Sequence, residues 1–138
     1  DYRRTIPPLM SAFFIKLLKK EPPVIYGTGE KRRDFVHVDD VNDFHLLCMS
    51  DQRTDGRTFN LGSGTNWSVL EIHEMISKLL GISVDPVFKP DLPGEAQENL
   101  ADIGKANELG WIPKTDISEG LVNMKDFIQH IISTGELV

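Results

Sequence analysis

The β-prone runs of this sequence are short, and they do not alternate regularly with its helical segments. They fall at Val24–Tyr26, Arg33–Val38, Thr58–Leu61 and Val84–Lys89. A complete doubly wound sheet needs strand and helix in steady succession. This order instead predicts an α+β or irregular α/β lobe built on a small mixed sheet. Pro86 lacks a ladder donor, so the last run reads as an edge or irregular strand.

The helices are better bounded. Leu9, Phe13 and Leu17 recur at helical spacing, Lys19 and Lys20 suit the C-terminal end, and Pro22-Pro23 stop the run. Asp39 or Asp40 is expected to cap a helix reaching about Ser50, with Val41, Phe44, Leu47 and Cys48 on its apolar face. Ser68-Val69-Leu70-Glu71 is a capping box, and Ile72, Ile76, Leu79 and Leu80 form the face behind it up to Gly81. Asp102 is expected to cap a short helix to Leu109. Asp116 and Glu119 open a last helix striped by Ile117, Leu121, Met124, Ile128 and Ile131.

With 138 residues, 40% of them hydrophobic, the chain can build one domain with its own core. The net charge of −6 disfavours nucleic acid as a partner. The longest apolar stretch, Ala12–Ile15, ends at Lys16, far short of a membrane span. A single cysteine, Cys48, excludes an internal disulfide and fits a reducing compartment such as the cytoplasm. The first residue is Asp1 and the first methionine is Met10, which points to a chain beginning inside a longer protein.

Gly62-Ser63-Gly64-Thr65-Asn66-Trp67 is the nearest approach to a dinucleotide fingerprint. Trp67 stands where the third glycine must let helix and strand pack closely, so the segment reads as a structural turn. His37, Asp39 and Asp40 could ligate a cation, but a strand-to-helix junction favours capping. His73 has Ser77 where a zincin would need its second histidine. Lys31-Arg32-Arg33 beside the Gly27-Thr28-Gly29 turn is either a solvated charge cluster or an anion site, and physics alone leaves both open. Tyr26 could stack on a base or serve as core.

The string Pro23 to Val41, with Tyr26-Gly27-Thr28-Gly29 followed by Arg33-Asp34-Phe35-Val36-His37-Val38-Asp39-Asp40-Val41, resembles the extended short-chain dehydrogenase/reductases, most of all UDP-glucose 4-epimerases. Phe59–Gly64 with Ser68–Glu71, Pro93-Gly94-Glu95, and Ala101–Ala106 with Leu109-Gly110-Trp111 agree in the same order. The resemblance implies an NAD-dependent enzyme whose Rossmann domain holds NAD and whose smaller C-terminal lobe holds a nucleotide sugar, with a homodimer as the whole enzyme. Residues 1–138 resemble the C-terminal lobe alone. The catalytic Tyr-x-x-x-Lys is expected on the other half, since Tyr2 is followed at +4 by Ile6 and Tyr26 by Glu30. The family's chemistry moves hydride from C4 of the sugar to NAD⁺ and returns it to the other face. This lobe is expected to bind substrate and be inactive alone.

By the same resemblance, Arg33 is expected to grip the diphosphate, Val24 and Tyr26 to flank the base, Val69 to line the nucleotide, and Glu95 to face the ribose hydroxyls. Leu92 replaces a second diphosphate arginine, which leaves the UDP assignment open; Lys31, Arg32 or Lys89 are the candidates to compensate. A 4,6-dehydratase, a UDP-glucuronate decarboxylase or a reductase is the close alternative. A stand-alone nucleotide-sugar sensor or a structural lobe is the alternative of another class.

Overall fold

The computed structural model describes residues 8–135. Tyr2 and the chain start fall outside them. The elements run α1 (Leu9–Leu18), β1 (Val24–Tyr26), β2 (Arg32–Asp34), α2 (Val38–Cys48), β3 (Asn66–Ser68), α3 (Val69–Leu80), β4 (Val87–Lys89), α4 (Gly104–Asn107) and α5 (Ile117–Ser133). No helix among the described residues is long and apolar enough to cross a membrane.

The expected small mixed sheet is two separate sheets. β1 pairs in parallel with β4, Ile25 opposite Phe88. β2 pairs antiparallel with β3, Arg33 opposite Trp67. Arg33–Val38 is strand only as far as Asp34, because the backbone turns into α2 at Val38. Thr58–Leu61 is not a strand; Phe59 and Leu61 instead pack against the second core cluster.

That division of the core follows the sequence stripes. α1, α3 and α5 bury Phe13, Phe14, Leu17, Ile72, Ile76, Leu121, Ile128 and Ile131 together with Ile25. A smaller cluster gathers Phe44, Ala106, Leu109 and Trp111, with Phe44 edge-on to both Phe59 (5.2 Å) and Trp111 (5.7 Å). Such edge-to-face pairs suit the aromatic quadrupole.

α3 forms as its capping box requires. The Ser68 hydroxyl accepts the Glu71 amide at 3.1 Å, and the Glu71 carboxylate accepts the Ser68 amide at 2.7 Å. The Ser68 amide, with Arg32 nearby, holds the Glu71 carboxyl below its usual range. Gly81 ends the helix at φ 65°, a left-handed position that suits glycine.

α2 departs from expectation. Its cap is His37, whose Nδ1 accepts the Asp39 amide at 3.2 Å. Asp40 turns inward instead and accepts the amides of Lys114 (2.9 Å) and Thr115 (3.1 Å), while its carbonyl takes the Trp111 indole N–H at 2.8 Å. Burial pushes the Asp40 carboxyl up, but the Lys114 and Thr115 donors outweigh burial and keep it below the usual range. Asp40 thus ties α2 to the segment leading into α5.

Candidate functional site

β2 and the Gly27–Gly29 turn organise the residues singled out above. Successive side chains of a strand point to opposite faces, so Arg32 and Arg33 diverge. Arg32 is committed along one edge of its guanidinium. Its Nε and Nη2 donate to the Asn66 side chain and backbone carbonyl at 2.9 Å each, and Nη2 lies 3.0 Å from the Glu71 carboxylate. Arg33 donates from Nη1 to the Arg32 carbonyl at 2.8 Å, and it forms no ion pair among the described residues. Most of its donor fork is open for an anion.

Val69, the first residue of α3, donates its amide to the Lys31 carbonyl at 3.1 Å, and Leu70 donates to the Gly29 carbonyl at 3.1 Å. These bonds fasten Val69 to the head of β2. Tyr26 and Val24 lie on β1, with Tyr26 exposed opposite Lys89 and Val24 half-buried opposite Val87. Glu95 is exposed on the loop after β4, with one carboxylate oxygen 2.5 Å from the Lys31 ammonium. The structure therefore brings Val69 and Glu95 to Lys31, sets Arg33 two residues on, and leaves Val24 and Tyr26 on the neighbouring sheet across the glycine turn.

Two of the three compensating cations are already committed. Lys31 is 5% exposed and paired with Asp91 and Glu95. Arg32 is held by Asn66 and Glu71. Lys89 is exposed on β4 and forms no ion pair among the described residues. Sequence reasoning missed the Lys31 triad, because its acidic partners are far along the chain and a basic run reads as surface.

Sequence reasoning also missed Asp34. Its carboxylate accepts the Ser63 amide and hydroxyl at 2.7 Å each, the Gly64 amide at 3.4 Å and the Ala101 amide at 3.2 Å. The Ser63 and Gly64 amides of this turn, which a pyrophosphate would need, are thus already taken by a carboxylate, and β3 rather than a helix follows. The residues of this turn do not fit NAD. Gly62 is needed for close approach: a Cβ there would lie 2.3 Å from the Asp34 carboxylate and 2.5 Å from the Ala101 methyl. Gly62→Ala is expected to cost about 1–3 kcal/mol through overpacking. A denaturant midpoint equal to wild type would refute that account.

His37, Asp39 and Asp40 do not converge as ligands, since Asp40 is turned toward Lys114 and Thr115. Cys48 packs against the second core cluster. Four well-formed concavities contain none of Val24, Tyr26, Arg33, Val69 or Glu95. One of about 400 Å³ is apolar, lined by Met10, Phe35, Val38, Ile117, Met124 and Phe127 among others. The residues singled out from the sequence lie instead on β1, β2, the start of α3 and the loop after β4.

The NAD dependent epimerase/dehydratase family model matches residues 3–62. The Thermotoga maritima UDP-glucose 4-epimerase crystallised with UDP-glucose superposes with a TM-score of 0.84 at 32% identity, covering 97% of this chain and 42% of that one. The UDP-glucuronic acid 4-epimerase of Bacillus cereus in complex with UDP-glucuronic acid and NAD gives 0.84 at 29% identity, covering 89% and 40%. UDP-glucuronic acid decarboxylase 1 of Arabidopsis thaliana is 31% identical over 130 residues, 93% of this chain and 29% of that protein. The fold matches part of Rossmann-type epimerase structures, and these three relatives are nucleotide-sugar enzymes. The chain belongs to the NAD-dependent epimerase/dehydratase family. It spans well under half the length of these three relatives.

Proposed function

We propose that residues 1–138 are the nucleotide-sugar-binding lobe of an NAD-dependent 4-epimerase acting on UDP-glucose and UDP-galactose. The observation that carries this reading is Arg33: a half-buried arginine on a short strand, its fork mostly open, beside the Gly27–Gly29 turn. An arginine so placed suits bidentate contact with phosphate oxygens. Tyr26 and Val24 flank the base, Val69 lines the nucleotide, and the remaining oxygen of Glu95 accepts from ribose hydroxyls. The part of the enzyme outside this chain holds NAD and the catalytic tyrosine, and the enzyme works in the cytoplasm as a homodimer. NAD supplies the hydride acceptor; these residues bind and orient the sugar nucleotide against it.

A second reading, a sister decarboxylase or dehydratase, is favoured by the 31% identity to a decarboxylase, while Leu92 in place of a diphosphate arginine leaves the nucleotide open under either reading. The full-length protein incubated with NAD⁺ and UDP-glucose is expected to yield UDP-galactose. Formation of UDP-xylose from UDP-glucuronate, with UDP-glucose unchanged, would transfer the assignment to the second reading. Residues 1–138 alone are expected to show no stoichiometric micromolar NAD⁺ site by calorimetry.

A further inference from the structure

Every residue from Asp85 to Leu100 other than Pro86 is exposed, including the whole loop that carries Leu92 and Glu95. β4 anchors the start of this segment to β1, and the end is anchored by backbone bonds between Arg32 and Gln97 and between Asn99 and Arg32. Between those anchors, the ion pairs that the described residues make with residues 90–96 come from one side chain, and Gln97 at the end anchor also bonds the Asp91 carboxylate. The Lys31 ammonium donates to Asp91 and, at 2.5 Å, to Glu95. Lys31 is 5% exposed, so its charge is withdrawn from water and depends on these partners. The Asp91 carboxylate also lies against Gly27, where a Cβ would come within 3.2 Å of it. Through its backbone carbonyl, Lys31 holds the Val69 amide as well.

We propose that Lys31 is a positioning residue that latches the 90–96 loop and thereby sets Glu95 beside Val69 in the substrate site. This rests on the reading of the site as a nucleotide-sugar site. One ammonium faces two carboxylates, so the latch leaves a net negative charge at the loop. Such a cluster favours hydroxyl donors and repels phosphate, which leaves the anion to Arg33. The bond that Lys31 donates to Asp91, followed by that to Glu95, raises the Lys31 pKa above its usual value. Lys31 keeps its charge and the latch at neutral pH.

The test uses the full-length protein with Lys31→Met and Lys31→Arg. Amide hydrogen exchange without ligand is expected to speed about tenfold or more in Lys31→Met at Leu92, Gly27 and Asn99, hydrogen-bonded amides in and beside the loop, with α3 and α5 unchanged. UDP-glucose titration is expected to show about tenfold weaker binding, appearing in KM rather than kcat, with Lys31→Arg recovering part. Unchanged exchange at these amides overturns the latch whatever the site binds. Faster exchange with unaltered UDP-glucose affinity, while Arg33→Ala abolishes binding, overturns the positioning role and leaves the site reading standing. If UDP-glucose binding survives both Lys31→Met and Arg33→Ala, the site reading itself fails and the positioning role with it. Should Lys31→Met not fold, Asp91→Asn alters the same latch from its exposed end and is expected to loosen the same segment. No loosening there overturns the proposal.

Discussion

Arg33→Ala in the full-length protein is expected to weaken UDP-sugar binding by about 2–3 kcal/mol, the upper range for hydrogen bonds to a charged group. The reason is geometric. Arg33 bonds one backbone carbonyl and is otherwise uncommitted; of the three cations that could take over, Lys31 and Arg32 are not free, and Lys89 stands on the other sheet, on β4. Lys31 is locked by two carboxylates and Arg32 by Asn66 and Glu71. Arg33→Lys should recover only part, since an ammonium does not reproduce the fork. The contrast with Arg32 makes the prediction sharp. Arg32→Ala removes the bonds to Asn66 and the partner of Glu71, so it should lower the melting temperature while leaving the affinity of the folded fraction close to wild type. Calorimetric titration and thermal melts of the two variants separate these effects. A large affinity loss in Arg32→Ala beside an unaltered Arg33→Ala would reverse the assignment.

The largest expected loss of stability comes from the helical layer. Phe14 is fully buried where α1 meets the core shared with α3 and α5. Phe14→Ala is expected to cost about 3–5 kcal/mol, combining lost apolar transfer with the cavity left behind. Against a typical total of about 5–15 kcal/mol, this removes a large share of the stability. Chemical denaturation of the chain measures it through the midpoint at unchanged slope. A shift under about 1 kcal/mol would mean that the site collapses around the missing ring or that α1 is not an integral layer.

The parts of this architecture that were legible in the sequence are those whose signals are local. The capping box at Ser68 and Glu71, the stripe from Ile72 to Leu80 and the stop at Gly81 lie within one helix, and all three appear as read. The stripe of α5 is equally self-contained. What was not legible depends on residues far apart. Thr58–Leu61 has strand-like composition, but no partner strand reaches it, and its apolar side chains go to the second core cluster. The cap of α2 passed to His37 because Asp40 was drawn inward by amides near residue 114. Lys31 looked like one of three surface cations until its partners, sixty residues away, closed over it. The Arg33 strand was visible, while the reason Arg32 and Lys31 cannot substitute for it was not.

The separation of the strands into two isolated pairs has a consequence for the order in which the molecule assembles. A two-stranded ladder does not support itself in water. β1–β4 and β2–β3 each join segments distant along the chain, so each must close a long loop before any ladder bond forms. The helices need no such closure to begin forming. The helical layer is therefore expected to come first and the ladders last, which also makes the ladders the first regions to open in the native state. Arg33 and Tyr26 stand on those late-closing ladders. Any molecule that bridges them acts as a clasp between two weakly held ribbons, so occupancy of this face and its local order rise together.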